Sequence, residues 1–95
     1  MAFKLARRAA ADIRRIHAEG LRLFGPRQAD RYVTELRRVM GVIAASPQIA
    51  RERNELSPPA RIHPCGSHVI VYVTEPDGDV LVVRVRHARE DWTRS

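Results

Sequence analysis

The chain has 95 residues and a hydrophobic content of 44%, enough for one domain with a modest core and too high for a disordered chain. No run approaches the roughly 20 consecutive apolar residues of a membrane span, and the N-terminus lacks the apolar run of a signal peptide. The single cysteine excludes an intrachain disulfide. We therefore expect a single domain over residues 1–95, in a reducing, cytoplasmic setting and without a membrane partner.

The net charge of +6 lies entirely in the first half of the chain. Residues 1–50 carry ten basic and four acidic side chains, whereas residues 51–95 carry seven of each. A well-solvated helical surface would account for this excess. A docking surface for an acidic partner, either a nucleic acid or an acidic protein segment, would account for it equally well. Charge alone does not separate these alternatives.

The first predicted elements are a short strand and an amphipathic helix. Near the N-terminus, Phe3 and Leu5 alternate with Ala2 and Lys4, which favours a strand. After it the apolar residues recur at intervals of three and four, which predicts a helix from Arg7 to about Leu23. An aspartate near its start suits the positive end of a helix. The stripe consists of Ala9, Ile13, Ile16 and Gly20, followed by Phe24, and the aspartate is Asp12.

A second and stronger stripe follows the segment FGPRQAD. Gly25 ends the first helix, and Pro26 fits the first turn of the next, because the N–H that proline lacks is unpaired there in any case. Pro47 ends the second helix, since the residue before a proline is disfavoured in helical backbone. Helices joined by so short a link form an antiparallel hairpin, which we place at residues 7–45. The second stripe comprises Ala29, Tyr32, Val33, Leu36, Met40 and Ile43.

Three extended runs follow the polar linker ARERNELSPPA, and EPDGD between the last two runs predicts a hairpin turn. The run ARIHPC alternates, with Ile62 on one face and Arg61, His63 and Cys65 on the other. The run HVIVYVT is apolar on both faces. In DVLVVRVRHA, alternation places Leu81, Val83, Val85 and His87 on one face and Val80, Val82, Arg84 and Arg86 on the other.

This order of elements predicts an α+β fold. Its parts are an N-terminal strand, the antiparallel two-helix hairpin, a three-stranded antiparallel sheet over residues 61–87, and a C-terminal tail at residues 88–95. Packing the hairpin on one face of the sheet is the usual layered solution for such a chain. The other face of the sheet is then expected to stay open.

The stretch HPCGSH brings two histidines and the cysteine together. A metal site formed by His63, Cys65, His68 and His87 would need the paired ligand spacing of structural zinc sites, which this sequence lacks. Cys65 as a nucleophile would need a lowered pKa and a base close in space, and proximity along the chain supplies neither. We expect turn residues and a buried thiol here, with no metal and no cofactor.

A metal-free ribonuclease is a stronger enzymatic candidate. Such a reaction needs a base for the 2′-hydroxyl, an acid for the leaving oxygen and arginines for the phosphate charge. On the open sheet face these would come from Arg61, His63, Arg84 and Arg86, with His87 and Arg89 nearby. Arginines on a solvated strand also keep a sheet edge soluble, which is the competing interpretation. Trp92, in the charged tail, either covers the core or anchors a partner.

Four segments in register resemble the ParE branch of the ParE/RelE toxin superfamily of bacterial type II toxin–antitoxin systems. They are FGPRQADRY, SPQIARERNEL, GSHVIVYV and VVRVRHARED, and the resemblance covers roughly residues 3–91. It implies the same fold that the pattern predicts. It also implies that GSH is the turn into the central strand, so that His68 has a structural role.

The resemblance implies a function as well. ParE toxins inhibit DNA gyrase, and a ParD-like antitoxin neutralises them with a flexible C-terminal segment that folds over the toxin. RelE toxins instead cut messenger RNA on the ribosome, and this chain lacks their tyrosine after the last strand. We expect a non-enzymatic gyrase inhibitor that does not itself bind DNA sequence-specifically. A ribosome-dependent endoribonuclease is the alternative, and a member that only binds its antitoxin is the third.

The predicted sites follow from these alternatives. Target binding is assigned to Arg84, Arg86, Arg89 and Trp92. If the protein is a nuclease, the catalytic residues are His63, Arg84, Arg86 and His87. An arginine-rich helical pair suits an acidic, amphipathic antitoxin segment that orders on binding. Antitoxin binding is therefore assigned to Arg14, Arg15, Arg31, Arg37, Arg38 and Arg61.

Overall fold

The computed structural model describes residues 3–90, which form a helical hairpin packed on a five-stranded sheet. In chain order the elements are β1 (Phe3–Leu5), α1 (Arg7–Phe24), α2 (Pro26–Ala45), a short 3-10 helix (Pro47–Ile49), β2 (Glu52–Arg53), β3 (Ala60–Cys65), β4 (His68–Thr74) and β5 (Val80–His87). None of the helices in this described part is long and apolar enough to cross a membrane.

The sheet is mixed, with the strand order β1-β5-β4-β3-β2. β1 runs parallel to β5, and the other neighbouring strands are antiparallel. The predicted α+β fold is confirmed, including the three consecutive strands after the hairpin. The sheet is larger than predicted, because β1 joins it at one edge and β2 forms within the segment expected to be a linker.

The turn between the two helices depends on a single glycine. Gly25 has a φ of 86°, a backbone conformation that side chains disfavour, and its N–H donates to Leu21 O at 3.1 Å to close α1. Pro26 starts α2 immediately, so the helices fold back on each other. They approach closely at Gly20, where an added Cβ would lie 3.2 Å from the Cβ of Ala29.

The main core lies between the hairpin and one face of the sheet. The fully buried side chains of α2 that face the sheet are Leu36, Met40 and Ile43. They pack with Ile70, Tyr72, Val80, Val82 and Val85 of β4 and β5. Burying each side chain of this size contributes roughly 1.5–3 kcal/mol. The hydroxyl of Tyr72 donates to Pro47 O at 2.6 Å, so this aromatic residue is both packed and hydrogen-bonded.

The opposite face of the sheet carries a second apolar cluster and is less open than expected. Its buried members are Ala60, Ile62, Val69 and Val71, with Leu56, Val73 and Val83 partly buried against them. Leu56 comes from the loop that precedes β3, so that loop covers part of this face.

A β-bulge in β5 changes which residues share a face. Val71 lies opposite Arg84, but Tyr72 lies opposite Val82, so Val83 is an extra residue without a partner across the strand. Val85 therefore packs with Val80 and Val82 in the main core, whereas Val83 packs in the second cluster. The strict alternation predicted for β5 holds up to Val83 and is wrong from Arg84 onward, because the bulge shifts the side-chain pattern by one residue.

A buried carboxylate joins α1 to the exposed edge of β5. β1 pairs with β5 only through Val80–Val82, and among residues 3–90 no other strand lies along the outer edge of β5 beyond that point. Asp12, only 1% exposed, occupies this edge. Its Oδ2 accepts hydrogen bonds from the Val85 N–H at 2.9 Å and from Arg84 Nε at 2.7 Å. Its Oδ1 accepts from Arg84 Nη2 at 3.1 Å and from Arg15 Nη2 at 2.6 Å.

The pKa of Asp12 reports the balance of these contacts. Burial raises this pKa, but the hydrogen bonds from Arg84, the Val85 N–H and Arg15 together lower it below its ordinary value. The carboxylate thus stays charged inside the protein. Asp12 lies beyond the first turn of α1, so its role is the contact with β5 and not the interaction with the helix end that the sequence predicted.

The turn between β3 and β4 is held against α2 by Tyr32. The Tyr32 hydroxyl and His68 Nδ1 are hydrogen-bonded at 2.6 Å, and the hydroxyl also accepts from the Ser67 N–H at 3.1 Å. Gly66, with a φ of 60°, lies so close that an added Cβ would be 2.7 Å from the hydroxyl oxygen. Burial and the neighbouring His87 lower the pKa of His68, and burial raises the pKa of Tyr32.

The first prediction concerns Asp12. Asp12→Asn should lower the free energy of unfolding by roughly 3 kcal/mol, because it leaves the buried Arg84 guanidinium without its charged partner. Urea unfolding at pH 7 measures the change. Glu35→Gln is the matched control, because it breaks an exposed ion pair with Arg38 that solvent screens. Equal losses in the two variants would contradict the role given to Asp12.

The second prediction compares two glycines. Gly66→Ala and Gly78→Ala both place a side chain at positive φ, 60° and 92° respectively, but only the alanine at position 66 collides with Tyr32. We expect Gly66→Ala to lower the thermal midpoint by several degrees more than Gly78→Ala does. This corresponds to an additional loss of roughly 1 kcal/mol in the free energy of unfolding. Similar midpoints in the two variants would show that the Tyr32 contact does not constrain this turn.

The third prediction concerns pH. The unfolded chain protonates His68 near its ordinary pKa of 6.5, whereas the folded protein does so only at lower pH. This residue's contribution to stability is therefore full above pH 6.5 and is lost as the pH falls below that value toward the lowered folded pKa. Urea midpoints measured between pH 8 and pH 5 should fall less steeply in His68→Gln than in the wild type. An unchanged slope would contradict the lowered pKa.

Candidate functional site

A groove of about 640 Å³ lies beside the tip of the helical hairpin. We call it the hairpin groove. Its apolar wall is formed by Ile16, Gly20, Leu23, Phe24 and Ala29. Its polar end is formed by Tyr32, Ser67, His68 and His87. Both helices, the β3–β4 turn and the end of β5 therefore meet at one surface.

The apolar wall is unusually exposed. Leu23 is 53% exposed and Phe24 is 62% exposed, and Leu21 beside them is 41% exposed. The sequence pattern places Phe24 in the buried stripe of α1, and the structure contradicts this: α1 ends at Phe24, beyond the region that the sheet covers. The sequence did contain a signal for this exposure. Leu23 and Phe24 are consecutive large apolar residues before the glycine that ends α1, and an amphipathic stripe can bury only one of two such neighbours.

The polar end consists of aromatic rings in contact. The ring centroids of His68 and His87 are 5.3 Å apart at an interplanar angle of 68°, and those of Tyr32 and His68 are 5.5 Å apart. His68 Nδ1 is bound to Tyr32, and His87 Nδ1 accepts from the Arg89 N–H at 3.1 Å. Each imidazole thus has one nitrogen fixed by the protein, and neither Nε2 has a hydrogen-bond partner among residues 3–90.

The residues assigned to a nuclease do not meet on one sheet face. Residues opposite each other across neighbouring strands point to the same side. His63 lies opposite Ile70, on the hairpin side, whereas Arg86 lies opposite Val69 in the second cluster. By the same pairing Arg61 lies on the hairpin side, where it donates to Ala50 O. Arg84 lies opposite Val71, which belongs to the second cluster on the other face. The predicted common face for Arg61, His63, Arg84 and Arg86 is therefore wrong.

The remaining contacts of these residues are local. His63 Nδ1–H donates to Pro64 O, the carbonyl of the next residue, at 2.7 Å. His87 lies opposite His68, at the hairpin groove. Arg84, with a side chain only 13% exposed, is engaged by Asp12, and its buried Nη1 has no hydrogen-bond acceptor among the described residues. Its guanidinium is therefore part of the fold and is largely withdrawn from solvent.

The residues assigned to target binding cluster at the end of β5. Arg86 Nη2 donates to a carboxylate oxygen of Glu90 at 2.9 Å, and the other oxygen accepts from the His87 N–H at 2.9 Å. These hydrogen bonds, that of Arg86 first, lower the pKa of Glu90. Arg89 is exposed, with no carboxylate partner among residues 3–90. Trp92 lies outside the described residues.

The residues assigned to antitoxin binding lie mainly on the outside of the hairpin, with Arg61 on β3. Arg15 pairs with Asp12, and Arg38 pairs with Glu35. Arg14, Arg31 and Arg37 are exposed and have no carboxylate partner in the described part of the chain. The hairpin therefore carries unneutralised positive charge, but the charged residues that line the hairpin groove itself are Arg15 and Glu19, each of which is in an ion pair.

Cys65 is buried, and burial raises the pKa of its thiol, so it is poorly suited to act as a nucleophile. Within residues 3–90, no group of three or more His, Cys, Asp or Glu side chains is arranged to hold a metal ion. The two histidines of the hairpin groove are thus placed for hydrogen bonding and for ring contacts.

The comparisons with known proteins agree with this architecture. The family model described as "ParE toxin of type II toxin-antitoxin system, parDE" matches residues 3–92. A "Toxin ParE1" of Mycobacterium tuberculosis is 38% identical over 72 residues, which cover 76% of this chain and 74% of that protein. A "Toxin ParE" of Escherichia coli is 30% identical over 90 residues, which cover 95% of this chain and 87% of that protein.

A solved structure shows the same fold. A chain from a structure described as "Chromosomal ParDE TA system from P. aeruginosa" superposes with a TM-score of 0.78. The match covers 92% of this chain and 95% of that chain at 19% sequence identity, and at this identity it is evidence for the fold alone. The family model and the two relatives carry the assignment: this chain belongs to the ParE toxin family of type II toxin–antitoxin systems.

Proposed function

We propose that this chain is an active toxin that inhibits DNA gyrase by binding to it, and that a ParD-like antitoxin neutralises it in the cytoplasm. Membership of the ParE family supports the toxin role. The observation that supports binding over catalysis is the distribution of the basic side chains over both faces of the sheet. An acid, a base and a phosphate-binding arginine must converge on one reacting group for nuclease chemistry, and here His63 and Arg86 lie on opposite faces.

The proposed target-binding surface is the end of β5 and the residues after it. Arg89 is its exposed cation, and Arg86 is held in place by Glu90. Arg84 acts as a positioning residue, because its bond to Asp12 fixes the open edge of β5 just before this surface. Trp92, which lies outside the described residues, is proposed as the aromatic anchor of this surface.

A ribosome-dependent endoribonuclease is the second candidate, and one specific observation favours it. Tyr32, His68 and His87 lie in contact at an open groove, and imidazole and phenol groups are suited to proton transfer. Arg15 also lines this groove, but its guanidinium donates to Asp12. On this interpretation His87 replaces the missing tyrosine of the RelE branch as the proton-transferring residue.

The fourth prediction tests the gyrase surface. Arg89→Glu should raise the toxin concentration that half-inhibits supercoiling by about tenfold, because it reverses an exposed charge within the proposed contact. An in vitro supercoiling assay with purified gyrase measures this. Arg51→Glu is the matched control, since it reverses the charge of an exposed arginine in the segment before β2, and it should leave inhibition unchanged.

Two results would count against the gyrase proposal. One is a wild-type toxin that leaves supercoiling untouched while it cuts ribosome-bound messenger RNA. The other is His87→Ala abolishing growth arrest while fold and antitoxin binding are intact, as the nuclease alternative requires. If neither gyrase nor messenger RNA responds and expression does not harm a bacterial host, the protein only binds its antitoxin.

A further inference from the structure

We infer that the helical hairpin binds the phosphate backbone of duplex DNA, without reading its sequence, on the side that faces away from the sheet. The binding surface is the cleft between α1 and α2 together with Arg7, Arg14 and Arg37, and we call it the outer basic cleft. The choice of duplex DNA over duplex RNA rests on the proposed function, because gyrase acts on duplex DNA. The surface itself follows from the position, charge and size of its side chains.

The cleft lies between the two helices on the side away from the sheet. Its volume is about 430 Å³, and every residue that lines it belongs to a helix and none to a strand or to the β3–β4 turn. The hairpin groove, by contrast, includes residues of that turn and of β5, and the two concave surfaces share no residue. The lining residues of the cleft are Ile13, Arg14 and His17 of α1 and Asp30, Val33 and Thr34 of α2.

Helical spacing places three arginines along this cleft. Arg7 precedes Arg14 by about two turns of α1, so both lie on the same side of that helix. Arg37 follows Val33 and Thr34 by one turn, so it lies on the cleft side of α2. Because the helices are antiparallel, Arg37 is level with the part of α1 between Arg7 and Arg14. The three residues therefore lie within roughly 10 Å of one another along the hairpin axis.

The charge of this cleft is positive and available to a ligand. All three arginines are exposed, and none has a carboxylate partner among residues 3–90. The carboxylate that lines the cleft belongs to Asp30, whose Oδ1 lies 2.7 Å from His17 Nε2 across the two helices. Three guanidinium groups against one carboxylate leave an excess of positive charge, which attracts a polyanion.

Small side chains around the arginines let a rod-shaped ligand approach the helices closely. On α1, Ala10 lies one turn before Arg14 and Ala18 one turn after it. On α2, Gly41 lies one turn after Arg37, and an added Cβ at Gly41 would meet nothing within 4 Å. The guanidinium groups are therefore the long side chains of this surface, and the space between them is open.

The apolar residues of the cleft favour a phosphate backbone over a protein segment. An amphipathic segment needs exposed apolar partners, but Ile13 is buried and Val33 is partly buried. Leu21, 41% exposed, continues the row of α1 arginines only at the tip of the hairpin. A phosphate backbone needs only suitably spaced cations. The cleft therefore suits DNA better than the acidic antitoxin segment to which the sequence assigned Arg14 and Arg37.

The aromatic residues favour a duplex over a single strand. Single-stranded nucleic acids are commonly held by bases stacked on aromatic rings. A duplex keeps its bases stacked and presents phosphates at every base pair, so that three guanidinium groups can reach phosphates whatever the sequence. None of the phenylalanines and tyrosines among residues 3–90 lines the cleft; they are Phe3, Phe24, Tyr32 and Tyr72.

The toxin then contacts DNA and gyrase with different surfaces. The outer basic cleft shares no residue with the proposed target-binding surface at the end of β5. Both surfaces can therefore be occupied at once, and the toxin can bind a gyrase–DNA complex through the enzyme and through its substrate.

The test is fluorescence anisotropy of the full-length toxin with a labelled DNA duplex of about 20 base pairs, measured between about 25 and 150 mM NaCl. Arg7→Gln, Arg14→Gln and Arg37→Gln are measured singly and together, because glutamine removes one charge and retains a high helix propensity. Arg51→Gln is the matched control, since it removes the same charge from an exposed arginine outside the cleft. Circular dichroism checks that each variant is folded.

We expect the logarithm of the wild-type association constant to fall with the logarithm of salt concentration with a slope of about −3, for three phosphate contacts. Each single cleft variant should make this slope shallower by about one, and the triple variant should weaken binding at least about tenfold at the lowest salt. Arg51→Gln should change the affinity less than about twofold. A wild-type toxin that does not bind the duplex, or equal losses in Arg14→Gln and Arg51→Gln, would overturn the inference.

Unlabelled competitors separate the alternative partners. Duplex RNA, single-stranded DNA and polyglutamate are each compared with unlabelled duplex DNA at equal concentrations of negative charge. A competitor that displaces the labelled duplex better than duplex DNA does would assign the cleft to that partner and overturn the inference. Polyglutamate stands in this comparison for an acidic protein segment.

The inference and the proposed function fail separately. A toxin that binds duplex DNA through the cleft but leaves supercoiling untouched contradicts the gyrase proposal and supports the inference. A toxin that inhibits gyrase but does not bind duplex DNA contradicts the inference and leaves the gyrase proposal in place.

Discussion

The contact between Asp12 and the open edge of β5 is the interaction on which the rest of the structure depends. In the described part of the chain β1 covers only the first part of β5, so the backbone of β5 would otherwise be unpaired along this edge after Val82. A buried carboxylate that accepts the Val85 N–H takes the place of a strand at this position. The Arg84 guanidinium neutralises its charge, and α1 is thereby fixed to the sheet at the point where the functional surfaces begin.

Two surfaces follow from this arrangement. The hairpin groove lies between the helices and the β3–β4 turn, which Tyr32 holds against α2. The end of β5 carries the proposed target-binding residues, and His87 belongs to both. Under the proposed function, this one small domain serves both a target and an antitoxin. The two surfaces adjoin each other at His87.

Much of the fold could be predicted from the sequence, because its signals are local. The apolar periodicity of the helices, Gly25 with Pro26, and the turn before β5 fixed the order of elements and most of their ends. β2 was missed because two residues carry no periodic signal. The bulge at Val83 was missed because an extra residue in an apolar strand looks the same as regular alternation. The parallel pairing of β1 depends on contacts between distant parts of the chain.

The candidate site was harder to predict for the same reason. Asp12 and Arg84 are separated by 72 positions, and Tyr32 and His68 by 36, so neither pair forms a motif. The arginines were correctly located on the hairpin, but nothing in the charge pattern distinguished Arg84, which is engaged inside the fold, from Arg89, which is exposed. Leu23 and Phe24 required the end of α1 to be placed relative to the sheet before their exposure could be recognised.

The most direct measurement of the central claim is amide hydrogen exchange of the free toxin, resolved at Val85 by NMR. If the Asp12 carboxylate holds the open edge of β5, the Val85 N–H should be as protected as the amides of the buried strand β4 and should exchange only through global unfolding. Exchange of Val85 at the rate of an unstructured peptide, with β4 still protected, would show that this edge is open and would contradict the account.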